Sequence, residues 1–106
     1  GVYQADGNNA SLTDASVDGV EVFIRLDQNS WYNMPFASFY SSGDYCAYGY
    51  TTGTTSFYYY YTSAPTVTFY YKVVVIPPAV MKQHPNTNWK DLSAITALMH
   101  GNNARS

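Results

Sequence analysis

Tyr45-Cys46-Ala47-Tyr48-Gly49-Tyr50-Thr51-Thr52-Gly53-Thr54-Thr55-Ser56-Phe57-Tyr58-Tyr59-Tyr60-Tyr61-Thr62 is the stretch that decides the architecture. Successive side chains of a strand point to opposite faces. Tyr45 to Thr51 therefore puts Cys46, Tyr48 and Tyr50 on one face and Tyr45, Ala47 and Gly49 on the other. Thr52-Gly53 supplies turn chemistry, and Thr55 to Thr62 returns as a second strand, so residues 45–62 read as a β-hairpin. On the return strand Tyr58 and Tyr60 share a face with Ser56 and Thr62, while Phe57, Tyr59 and Tyr61 share the other. Only alternate members of the tyrosine run can face one side.

Outward from the hairpin the same period recurs. Val20, Val22, Ile24 and Leu26 alternate with Glu21, Phe23 and Arg25, the pattern of a half-buried strand, and Asp27-Gln28-Asn29-Ser30 closes it with turn residues. Pro35 lies within Trp31 to Tyr40, which argues for an edge strand or an extended loop. Ser41-Ser42-Gly43-Asp44 and Ser63-Ala64-Pro65 are turns, and Thr66 to Ile76 is the longest expected strand. Val67, Phe69, Tyr71, Val73 and Val75 form its apolar face; its far end is apolar on both sides at Val74 and Ile76, so another element must cover it. Pro77-Pro78 ends the strand, and the connection to Pro85 is expected to be a loop.

The expected cover is one C-terminal helix over residues 87–100. Asn86-Thr87-Asn88 offers caps, Asp91 places a carboxylate in the first turn, and Trp89, Leu92, Ile95 and Leu98 or Met99 recur at helical spacing. Gly101 supplies a stop, and Asn102 to Ser106 reads as a frayed tail. Residues 1–19 are rich in turn residues, with a short strand around Val2 to Gln4. The whole chain of 106 residues is thus expected to be a single domain, mainly β with α+β character. It is a small antiparallel sheet or two-sheet sandwich, with antiparallel strands over 20–76 and one C-terminal helix.

Composition narrows the function classes. Charged residues are 11% of the chain and the net charge is −2, with Arg25, Lys72, Lys82, Lys90 and Arg105 scattered rather than clustered. Nucleic-acid binding depends on clustered cations, so it is disfavoured, as is an anionic membrane surface. No apolar run approaches a membrane span, so no membrane insertion of this segment is expected. Cys46 is the single cysteine and reads as a small buried hydrophobe rather than a reactive thiol. Asp6-Gly7-Asn8-Asn9, with Asp14 and Asp18, lacks the ligand spacing of a calcium loop. His84 and His100 form no zinc pattern, and no nucleophile motif or paired carboxylates appear. No cofactor, no metal site and no catalytic residue is expected, and the reading is non-enzymatic.

The binding candidates are aromatic: Tyr58, Tyr60 and Tyr70, expected to form an exposed ladder, with Trp31 and Tyr32 of the irregular loop extending it. Tyrosine and tryptophan are enriched at protein interfaces, and rings beside hydroxyls and amides also suit sugars. The leading expectation is protein–protein association or self-association through the tyrosine-rich sheet. The alternative is a carbohydrate-binding module using Trp31, Tyr32, Tyr58 and Tyr60. Cross-strand aromatic pairs can equally serve only to stabilise the sheet. Phe57 to Thr62, if at an edge, would also be a template for strand addition.

Phe69-Tyr70-Tyr71-Lys72-Val73-Val74-Val75-Ile76-Pro77-Pro78, followed by Trp89-Lys90-Asp91-Leu92 and a helix, resembles the C-terminal end of small secreted or lipoprotein β-domain proteins of Bacteroidota-type bacteria. The resemblance covers about a third of the chain. It implies an extracytoplasmic setting (periplasm, cell surface or secreted) and an adhesive or glycan-related context, and it transfers no functional residues. The start at Gly1, without methionine, fits the expectation of a processed or trimmed chain, and whether a signal or lipoprotein leader preceded it is not legible in the sequence.

Overall fold

Two antiparallel sheets carry the period-2 pattern, and a computed structural model describes residues 1–26 and 30–101. The turn expected at Asp27 to Asn29 and the tail from Asn102 lie outside the described residues, as do the side chains of Met99 and His100. The first sheet contains β1 (Val2–Asn8), β4 (Phe36–Ala37), β5 (Tyr45–Thr51) and β6 (Thr54–Tyr60), in the order β1-β6-β5-β4. The second contains β2 (Gly19–Leu26), β3 (Tyr32–Asn33) and β7 (Phe69–Ile76), in the order β3-β2-β7.

The hairpin forms as its sequence demands. Thr51 pairs with Thr54, Cys46 with Tyr59 and Tyr48 with Phe57, and Gly53 takes a φ of +82° that a side chain would resist. β1 completes the other side of β6, pairing Tyr3 with Tyr59 and Ala5 with Phe57, so the tyrosine strand is central and its backbone is covered on both sides. β1 runs on to Asn8, further than its turn-rich sequence suggests, because the ready-made edge of β6 outweighs weak intrinsic preference.

Val20, Val22 and Ile24 of β2 turn inward onto Cys46, Phe57 and Tyr59, and with Leu12 and Met34 they form the core cluster between the sheets. Phe57 stacks on Tyr71 at 5.2 Å, and Tyr59 meets Phe69 edge-on at 4.7 Å, so ring pairs bridge the two layers. Val67 falls before β7 and is exposed, a correction to the apolar face expected from Val67 to Val75. Pro35 marks a crossing point: β3 precedes it in one sheet, and β4 follows it in the other.

The outer face of the three-stranded sheet buries Phe23 and Ile76 apart from the main core, together with Ile95 of the C-terminal helix. Two helices follow β7 rather than the one expected, α1 (Pro78–Gln83), whose Met81 sulfur lies beside Gly19 of β2, and α2 (Leu92–Gly101), which buries Ile95. Pro78 opens α1 instead of only ending the strand, since its fixed φ suits the first helical turn. α2 starts at Leu92, not residue 87, because Asp91 is the effective cap: its carboxylate accepts from the Ser93 and Ala94 N–H groups at 3.0 and 3.4 Å. Among the described residues no helix is long and apolar enough to cross a membrane.

Candidate functional site

The five aromatics singled out in the sequence occupy different surfaces. Tyr58 and Tyr60 lie on the outer face of the four-stranded sheet, where Tyr60 is 46% exposed and pairs with Val2 and Tyr45. Tyr58 is half-buried beside Gln4 and Ala47. Tyr70 is on β7, paired with Arg25 on the outer face of the other sheet, and so does not extend a ladder with Tyr58 and Tyr60. Trp31 joins Tyr70 there, with the Arg25 guanidinium 4.6 Å from the indole centroid and 5.5 Å from the Tyr70 ring. Tyr32 sits at one end of the sandwich, 5.0 Å from Phe36 and 5.9 Å from Phe39. The structure thus brings Trp31 and Tyr70 together and separates them from Tyr58, Tyr60 and Tyr32.

The inward half of the tyrosine run builds a more coherent feature. β1 is the edge of one sheet and β7 the edge of the other, and between them the sandwich opens into a cavity of about 380 Å³. Tyr3 and Ala5 line it from β1, Phe57 and Tyr59 from β6, and Phe69 and Tyr71 from β7. Tyr61, Pro65 and Val67 close one end, where the Tyr61 N–H donates to the Gly1 carbonyl at 2.9 Å. At the other end the Tyr71 hydroxyl reaches β1, coming within 3.0 Å of where a side chain on Gly7 would begin. An alanine there would press on the phenol, so Gly7 permits the closure.

A buried carboxylate holds this wall in place. Asp44 is 3% exposed and accepts from the Phe39, Tyr40 and Ser41 N–H groups at 2.6, 2.9 and 2.8 Å, and from the Tyr59 hydroxyl at 2.5 Å. Burial alone would raise its pKa, but the Tyr59 hydroxyl and the three N–H groups together hold it below the ordinary carboxylate value. Tyr59 is pushed up to about 12 by burial and by its bond to Asp44. Sequence reasoning treated Asp44 as a turn residue; an acid three to five residues after backbone groups that need acceptors was the available signal. The same loop carries Phe39, which meets Phe69 edge-on at 5.3 Å, so Asp44 positions rings on both sides of the cavity.

The remaining polar groups act structurally. The Cys46 thiol is pushed up to about 12 by burial and by the nearby Asp44 charge, so it stays protonated at neutral pH. The Thr52 hydroxyl accepts from the Ala15 N–H at 3.0 Å, and the Gly53 N–H donates to the Leu12 carbonyl at 2.8 Å, fastening the N-terminal segment to the hairpin tip. Leu12, the lone leucine of a turn-rich polar segment, is thereby driven fully into the core. Among the described residues no three His, Cys, Asp or Glu side chains gather as a metal site. Comparison with protein-family models, curated proteins and solved structures finds no match to this chain.

Proposed function

We propose that this chain is a non-enzymatic, extracytoplasmic binding domain that takes an extended apolar segment of a protein partner into the aromatic seam between β1 and β7. The observation that carries this reading is the cavity itself, flanked by two sheet edges and walled by rings from both layers. Each edge strand has a row of backbone N–H and C=O groups available for strand addition, and the rings between them supply pockets for alternate side chains. Tyr3 and Val67, both more than 45% exposed, leave apolar surface at the mouth that a partner would cover. The low charge content and the resemblance of the C-terminal third to secreted or lipoprotein β-domains support the location.

The test is a displayed library of random extended peptides panned against the folded domain. Sequences of alternating apolar residues should be enriched, and a double Tyr3→Asp, Val67→Asp variant should lose them while melting normally. No enrichment, or binding indifferent to the double substitution, would remove the reading.

A further inference from the structure

The outer face of the three-stranded sheet carries a second cluster that the seam does not use. Register places Phe23 opposite Lys72 and Arg25 opposite Tyr70, so Arg25 and Lys72 are diagonal neighbours on one face. Both lie over the same indole, Arg25 at 4.6 Å and Lys72 at 4.8 Å from the centroid of Trp31. Among the described residues neither cation has a carboxylate in ion-pair distance, whereas Lys90 meets Glu21 at 3.8 Å. Arg25 Nε is moreover buried without a hydrogen-bond partner. The chain has seven acids for five bases, yet none of the carboxylates among the described residues is placed against this pair. Holding two like charges on one ring without a counter-ion is unfavourable in the free protein and favourable once an anion arrives.

The surroundings select the kind of anion. Beside Trp31 a shallow groove of about 540 Å³ is lined by Ser30, Asn33, Asn88 and Ser93, whose hydroxyls and amides can donate and accept, and by the oppositely charged neighbours Lys90 and Asp91, which add no net charge to it. Arg25 and Lys72 project from the face of the sheet, away from the hydrogen-bonding rim of its edge strand β7, so a ligand resting on Trp31 is read by side chains. Two cations are too few for a phosphate polymer, and they already lie over the ring that a base would stack on. We propose that Arg25 and Lys72, cradled on Trp31, bind the carboxylates of an acidic polysaccharide whose hydroxyls reach the adjoining amide and hydroxyl groove.

Polygalacturonate is the probe, titrated at low salt into the full chain carrying Trp89→Phe, so that fluorescence reports Trp31 alone. Saturable quenching is expected, weakening as salt rises, with no response to neutral dextran. Lys72 is exposed, so Lys72→Gln should fold and melt as the parent does while binding roughly tenfold more weakly. Three results would overturn the proposal: no saturation by polygalacturonate, undiminished binding by Lys72→Gln, or equally tight binding of polyglutamate or oligothymidylate. The last would assign the cluster to an acidic peptide or to nucleic acid instead.

Discussion

Replacing Asp44 by Asn tests the buried carboxylate that joins the tyrosine strand to the Phe39–Ser41 loop. One oxygen, Oδ1, accepts from the Phe39 N–H; the other, Oδ2, accepts from Tyr40, Ser41 and the Tyr59 hydroxyl. The least damaging orientation of an asparagine puts its NH₂ at the Oδ1 position, facing the Phe39 N–H donor to donor. One buried donor left unsatisfied costs about 1–3 kcal/mol, and the three surviving bonds lose their charge assistance, which roughly halves their strength. The expected loss is about 2–4 kcal/mol, which for a domain of this size is a fall of roughly 10–20 °C in the melting midpoint. The pH dependence carries a sign. Because the folded-state pKa of Asp44 lies below its ordinary value, its contribution is complete above the unfolded-state pKa and is lost as pH falls through the folded-state one. Thermal melts followed by circular dichroism at pH 7 and pH 2 should therefore show a wide gap between the two proteins that narrows in acid. A variant melting within about 2 °C of the parent at pH 7 would refute the reasoning, and so would a gap that is the same at both pH values.

Three further outcomes follow from other contacts. Leu12→Ala empties a fully buried site and should cost about 2–5 kcal/mol, read from the denaturation midpoint. Gly53→Val forces a β-branched residue to a φ of +82° and should destabilise the hairpin by roughly 1–3 kcal/mol, measured the same way. Cys46, buried with its thiol pKa pushed up to about 12, should resist iodoacetamide in the folded protein at pH 8 and react once urea unfolds the chain; rapid labelling in buffer would contradict its placement.

The strands with clean alternation were legible from sequence because one face meets the core and the other meets solvent. Tyr45 to Tyr60 follows that rule, and Thr52-Gly53 sets the register between the hairpin strands; Val20 to Leu26 alternates too, although its outer face buries Phe23 instead of exposing it. Alternation tells which side a residue faces but not which sheet its strand joins. Tyr70 therefore read as a neighbour of Tyr58 and Tyr60, whereas the connection from Tyr61 to Thr68 carries the chain to the other layer. Leu12 and Asp44 stayed hidden because each is a lone residue amid turn chemistry, placed by long-range bonds rather than by a local period. Arg25, Trp31 and Lys72 were hidden for a related reason: they meet only once β2 pairs with β7 and Trp31 lies over that pair. The helices were half legible. An apolar strand end requires cover, but Pro78 reads equally as a stop and as a first helical residue.

The seam between β1 and β7 is the central claim, and amide hydrogen exchange measures it most directly. A library-selected peptide is added, and protection is followed across Val2–Asn8 and Phe69–Ile76, the two edges that flank the cavity. The account predicts slowed exchange along one or both of these edges, with β5 unchanged and the effect absent in the Tyr3→Asp, Val67→Asp variant. Protection that appears instead on the outer face around Tyr45 and Tyr60, with β1 and β7 unaltered, would contradict it.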